Sequence, residues 1–147
     1  MDGNWREVMK AAISEVLETM YFTDVVFHQK TPLEPFRGWE AAIEMRASNE
    51  SAVVGLSLGF EESFARELAA NMLGLDPDGM PDEDVRDALQ ELANMVAGSC
   101  VVLLGPENWR LGLPQAHSGL VSPPTATHRI GMSAAGTLVG WASCGRV

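Results

Sequence analysis

An α+β domain, with helices packed against a mainly antiparallel sheet, is the fold class that three observations in this sequence predict. Two long stretches, at about residues 4–20 and 82–104, repeat apolar residues at helical spacing. Two strand-like stretches lie next to each other between residues 39 and 60. The strand-like segments of the last third follow one another through turns, without the strand–helix alternation of a doubly wound sheet.

Each element has its own local reason. Trp5, Met9, Ile13, Val16 and Met20 recur at steps of three and four and form one stripe of an amphipathic helix. Residues 29–35 are polar and proline-marked, which suits a connection, and residues 39–47 and 52–60 have strand character. Ser48, Asn49 and Glu50 are expected to turn that hairpin. Residues 61–73 begin with acids suited to a helix N-terminus and end before Gly74, a natural stop. Asp82, just after Pro81, is expected to cap a second long helix that runs to Leu104 and ends at Gly105-Pro106. Residues 109–113, 128–134 and 138–144 read as strands.

A chain of 147 residues that is 46% hydrophobic is long enough for one domain with an ordinary core and has no low-complexity segment or linker. The formal charge of −10, with ten scattered basic residues, argues against nucleic acid, whose phosphates are bound by clustered Lys and Arg. Cys100 and Cys144 form no CxxC pair and no Cys/His cluster, so both are expected to be buried thiols. The N-terminus carries acids throughout, and no uninterrupted apolar run reaches spanning length; a cytoplasmic protein without membrane contact is expected.

On the second long helix, Val85, Leu89, Leu92, Val96, Cys100 and Leu103 form a stripe that should face the core at about 100° per residue. The opposite stripe holds Asp84, Asp87, Glu91, Asn94 and Gly98, so a carboxylate and a carboxamide stand one turn apart on the outward face. Gly98 is expected to admit a close backbone, and the apolar run 100–104 to be buried on all sides. Asn is a mediocre helix former, so its place on an exposed mid-helix face asks for a reason. Residues 12–20 (AISEVLETM) also lie without gaps over residues 88–96 (ALQELANMV), with Glu15 on Glu91 and Glu18 on Asn94.

The stretch ELANMVAG at 91–98 resembles the ExxN motif of the CheC/CheX phosphatases and the glycine that follows it. Residues 12–22 (AISEVLETMYF) resemble that family's opening helix, 53–58 its second strand and 69–74 (AANMLG) its short helix. Leu111, Gly112, Leu113 and Pro114, with Gly119, resemble the strand and turn after the motif helix. The resemblance implies a pseudo-symmetric CheC-like domain spanning the chain, in which two long helices can each carry an ExxN pair. Glu18 stands where the first helix would need the amide, so the chain is similar to one-site CheX-like members, for which a homodimer is implied.

The activity implied is hydrolysis of the aspartyl phosphate of a phosphorylated CheY-like response regulator. Asn94 would orient the attacking water and Glu91 would pair with the lysine beside the phosphoaspartate. The protein would need no cofactor of its own, because the Mg2+ belongs to the response regulator. The alternative is a noncatalytic dimeric module of the same fold that binds a receiver domain or other signalling protein.

Other signals favour plainer readings. Glu67 and Asn71 have i,i+4 spacing and read as a surface pair near a helix end. His28, His117 and His128 lack metal-ligand spacing and read as loop or strand-edge residues, while no serine sits in a GxSxG elbow. The four Trp and the Met residues read as core or interface anchors and core filler.

Overall fold

The computed structural model describes residues 4–49, 51–105 and 108–147. The first apolar stripe folds as helix α1 (Trp5–Met20), burying Trp5, Met9, Ile13 and Val16, while Met20 at its end is exposed. Strand β1 (Val26–His28) follows, then the long hairpin β2 (Phe36–Ala47) and β3 (Val53–Glu61), helix α2 (Glu62–Leu73) and helix α3 (Asp82–Leu104). Strands β4 (Trp109–Leu111), β5 (Gln115–Val121), β6 (His128–Ala134) and β7 (Thr137–Arg146) complete the chain. Glu50, expected in the turn between β2 and β3, lies outside the described residues, as does Pro106.

All strands pair antiparallel, in the order β1-β6-β7-β3-β2-β4, with β5 beside β4 on the same edge of β2. That order is symmetric. Two hairpins, β6–β7 and β3–β2, meet at the β3–β7 pair, and each is flanked by the strand that follows the long helix of the other half. The gapless likeness between residues 12–20 and 88–96 thus falls on the two helices that open these half-sheets.

Alternation along β2 sends Trp39, Ala41, Ile43 and Met45 to the helices, where they meet Val54, Leu56, Leu58 and Phe60 of β3. Burying each such Leu, Val, Ile or Met contributes about 1.5–3 kcal/mol. Helix α3 lies between α1 and α2 and packs on β2. Its 23 residues include an 18-residue window of mean hydropathy 1.2, enough by length and composition to cross a membrane, yet its stripe Val85, Leu89, Leu92, Val96 and Cys100 is consumed by the core. Both thiols are buried and free.

Several expectations are corrected. The α3 N-cap position is Pro81, which has no side-chain acceptor and makes no side-chain cap; Asp82 instead accepts a 2.6 Å bond from Arg66 Nη2. Arg66 also donates to Glu62 at 2.8 Å and to the Met80 carbonyl at 2.7 Å, fastening the loop between α2 and α3. The run at the end of α3 is not buried on all sides: Val102 and Leu103 are 64% and 54% exposed, while Cys100, Val101 and, in part, Leu104 still pack on the core. Above Gly98 the space is open, since an added Cβ would meet nothing within 4 Å, and no backbone of this chain fills it. Gly119 lies inside β5 opposite Gly38, and no turn forms there.

Candidate active site

Two contacts define how α1 lies along α3. Ser99 donates to the Glu15 carboxylate at 3.3 Å, and the Tyr21 hydroxyl donates to the Ala88 carbonyl at 2.9 Å. The later residue of α1 meets the earlier residue of α3, so the helices run antiparallel. Interpolation between these contacts puts Glu18 level with the 93–94 step of α3. Glu18 and Asn94 are partners in the internal repeat, so the pseudo-two-fold axis passes close to this point.

Glu91 and Asn94 stand together on α3 as the spacing predicts, Glu91 exposed and Asn94 half-buried. Between them Leu92 and Ala93 are fully buried, which holds the helix in one rotational setting. Among the described residues, neither the Glu91 carboxylate nor the Asn94 carboxamide takes a hydrogen bond or ion pair from the chain. Asp87, a turn earlier, is exposed, and Glu18 on α1 is exposed as well.

Tyr21 closes the Glu91 end of this surface. Its side chain is buried between α1 and α3, and burial first, then the charge of Glu91, push its phenol well above the ordinary range. It remains a protonated donor to Ala88. Asn71, read from sequence as half of a surface pair with Glu67, has a definite task instead. Its carboxamide donates to the Tyr21 carbonyl at 2.9 Å and to Thr23 Oγ1 at 3.2 Å, tying α2 to the turn after α1. Glu67 stays on the surface. Nothing in the i,i+4 spacing could show this, because the acceptors are some fifty residues away.

The site is a ridge and not a hollow. A surface hollow of about 550 Å³ lies elsewhere, between Pro32, Leu33, Phe36, Glu61 and Leu138. Among the described residues no three His, Cys, Asp or Glu side chains are grouped to hold a metal ion. His28 bonds Ser133 at 2.7 Å across β1 and β6, while His117 and His128 sit on β5 and β6, strand positions that suit the plain reading. A carboxylate and a carboxamide free on a rigid ridge can enter the cleft of another molecule but cannot enclose a small substrate.

Comparison with known proteins bears on which molecule that is. No curated protein matches the chain. Solved structures do, over nearly its whole length. A CheC-like superfamily protein from Shewanella sp. PV-4 is 24% identical with a TM-score of 0.77, covering 98% of each chain. The chemotaxis protein CheX from Vibrio vulnificus is 22% identical with a TM-score of 0.75, covering 97% of this chain and 99% of that one. The Borrelia burgdorferi CheX–CheY–BeF3–Mg2+ complex is 15% identical with a TM-score of 0.68, covering 95% and 96%. At these identities the likeness shows the fold. The family described as chemotaxis phosphatase CheX matches residues 41–129, well over half of the sequence and including the whole of α3. The chain belongs to the CheX family of chemotaxis phosphatases.

Proposed function

We propose that this protein hydrolyses the aspartyl phosphate of a phosphorylated CheY-like response regulator, with Asn94 orienting the attacking water and Glu91 pairing with the receiver's lysine. The observation that carries this reading is the ridge itself: two polar side chains without partners of their own, one turn apart on a helix fixed by its buried face. Membership of the CheX family supplies the class of partner.

The chemistry asks little of this chain beyond position. The Asn94 carboxamide accepts a hydrogen bond from a water and holds it in line with the phosphorus. The water oxygen bonds to phosphorus as the bond to the receiver's aspartate oxygen breaks, and the products are inorganic phosphate and the free aspartate. Glu91, exposed on the same face, meets the lysine as a charge-assisted pair and sets the depth of insertion. The protein holds no metal in this scheme; the Mg2+ that draws charge from the phosphoryl oxygens comes with the receiver.

We read the protein as a cytoplasmic, single-domain homodimer acting in chemotaxis. Val102 and Leu103 at the free end of α3 offer apolar surface to a second copy. Sedimentation equilibrium tests the dimer, with Val102→Asp expected to shift it toward monomer. The catalytic reading is tested by splitting binding from turnover. Asn94→Ala should bind a beryllofluoride-activated receiver within a few-fold of the unmodified protein yet lose stimulated hydrolysis. Undiminished hydrolysis by Asn94→Ala would overturn the role of Asn94, whereas binding of the receiver by the unmodified protein without any stimulated hydrolysis would leave the noncatalytic module as the better account.

A further inference from the structure

Phe22 sits at the corner where α1 ends, 75% exposed, with its backbone in the left-handed region at φ 52°. A glycine would take that turn without strain, whereas a bulky residue there is a true outlier. The conformation is enforced from three sides. Tyr21 is anchored to Ala88, Asn71 donates to the Tyr21 carbonyl and Thr23 Oγ1, and the Thr23 amide donates to the Leu17 carbonyl at 2.9 Å. Strain that the surroundings over-determine, with an aromatic ring pointed at water, gains the fold nothing. Met20, two residues earlier, is also an exposed apolar side chain.

The position of this corner says what meets it. Phe22 follows Tyr21, whose hydroxyl ends one helical turn from Glu91, which places Phe22 within roughly 15 Å of Glu91. A standard interface covers about 800 Å² per partner and is roughly 30 Å across, so one centred on Glu91 and Asn94 reaches Phe22. The surface beside it is acidic, with Asp87, Glu91 and Glu18 exposed, which suits a partner that presents a lysine. We infer that Phe22, with Met20 beside it, is the apolar anchor on which the receiver domain docks, held rigidly outward so that Glu91 and Asn94 enter the receiver's site in register. This rests on the phosphatase reading above and adds the element that sets affinity.

The experiment uses the full chain and a cognate CheY-like receiver activated with beryllofluoride for binding, or phosphorylated for turnover. Phe22→Ala should weaken binding and raise KM by about tenfold or more while kcat stays within about twofold, as expected of an aromatic hot spot outside the chemistry. Phe22→Leu, which keeps an apolar side chain, should recover most of the affinity. Phe22→Gly should bind as poorly as Phe22→Ala but melt about 2–4 °C higher, because glycine takes the turn freely. Unchanged KM and affinity in Phe22→Ala, with the unmodified protein active, would overturn the docking role and leave the phosphatase reading standing. A lower melting temperature for Phe22→Gly would make Phe22 a structural residue and also overturn it. If the unmodified protein neither binds nor dephosphorylates any receiver from its own source, the phosphatase reading fails and this inference falls with it.

Discussion

Substituting Gly98 by Ala separates stability from function on one atom. Gly98 lies six residues inside the end of α3, and an added Cβ would meet nothing within 4 Å. Glycine in a helix interior costs about 0.5–1 kcal/mol relative to alanine, through the backbone freedom it loses on folding. With no clash to set against that term, Gly98→Ala should stabilise the protein by about the same amount. In a domain of this size that is a rise in melting temperature of about 1–4 °C. Differential scanning calorimetry of the two proteins at one pH measures it. An unchanged or lower melting temperature would refute the reasoning, since it would mean that the space above Gly98 is filled. The same variant should dephosphorylate a receiver more slowly if the receiver's surface crosses that space one turn beyond Asn94.

Four further outcomes follow from the packing. Gly59→Ala should destabilise by more than 1 kcal/mol in the same calorimeter, because its Cβ would overlap the Trp141 indole across the β3–β7 pair. Tyr21→Phe should cost about 0.5–1.5 kcal/mol by denaturant titration through loss of the buried bond to Ala88, and no loss would show that bond to be idle. Burial, offset in part by His117, raises the Glu40 carboxyl above its usual 4.5, so the folded protein holds that proton more tightly than the unfolded chain. Stability from this group is greatest at low pH and falls as pH rises through the raised value, so the advantage of Glu40→Gln should grow as pH rises above about 4.5 and level off once the raised value is passed. A constant offset across that range would contradict it. Burial also pushes both Cys100 and Cys144 up to about 12, with Cys100 adding to Cys144, so a thiol reagent should label neither until the protein unfolds.

Much of this architecture is legible in the sequence because its signals are local and periodic. The stripes of α1 and α3, the hairpin of β2 and β3, and Gly74 with its left-handed φ of 68° all follow from spacing or from one residue's conformational freedom. Strands β1 and β5 are not visible in this way. β1 has three residues and is held by pairing with β6, and β5 carries exposed Leu120 beside polar His117 and Ser118 with no clean alternation. Both are set by the partner strand, which local pattern cannot report. The exposed end of α3 is hidden for a related reason: whether an apolar run is buried depends on what packs against it, and Val102 and Leu103 are left exposed.

The positions of Glu91 and Asn94 on one outward face were readable from the ExxN spacing, because a three-residue step fixes a shared helix face. Their surroundings were not. Tyr21, Asn71 and the Glu15–Ser99 contact act across distances of 50 to 84 residues in the chain, and each looks ordinary in its own segment. Phe22 was readable only as part of an opening-helix resemblance, since a left-handed aromatic leaves no mark on composition.

The most direct test of the central claim is the lifetime of the phosphoryl group on a CheY-like receiver from the same source, followed alone, with this protein, and with Asn94→Ala. The account predicts a lifetime shortened by the unmodified protein and returned to the receiver's own value by the variant. Equal lifetimes in all three, with binding still measurable, would contradict it.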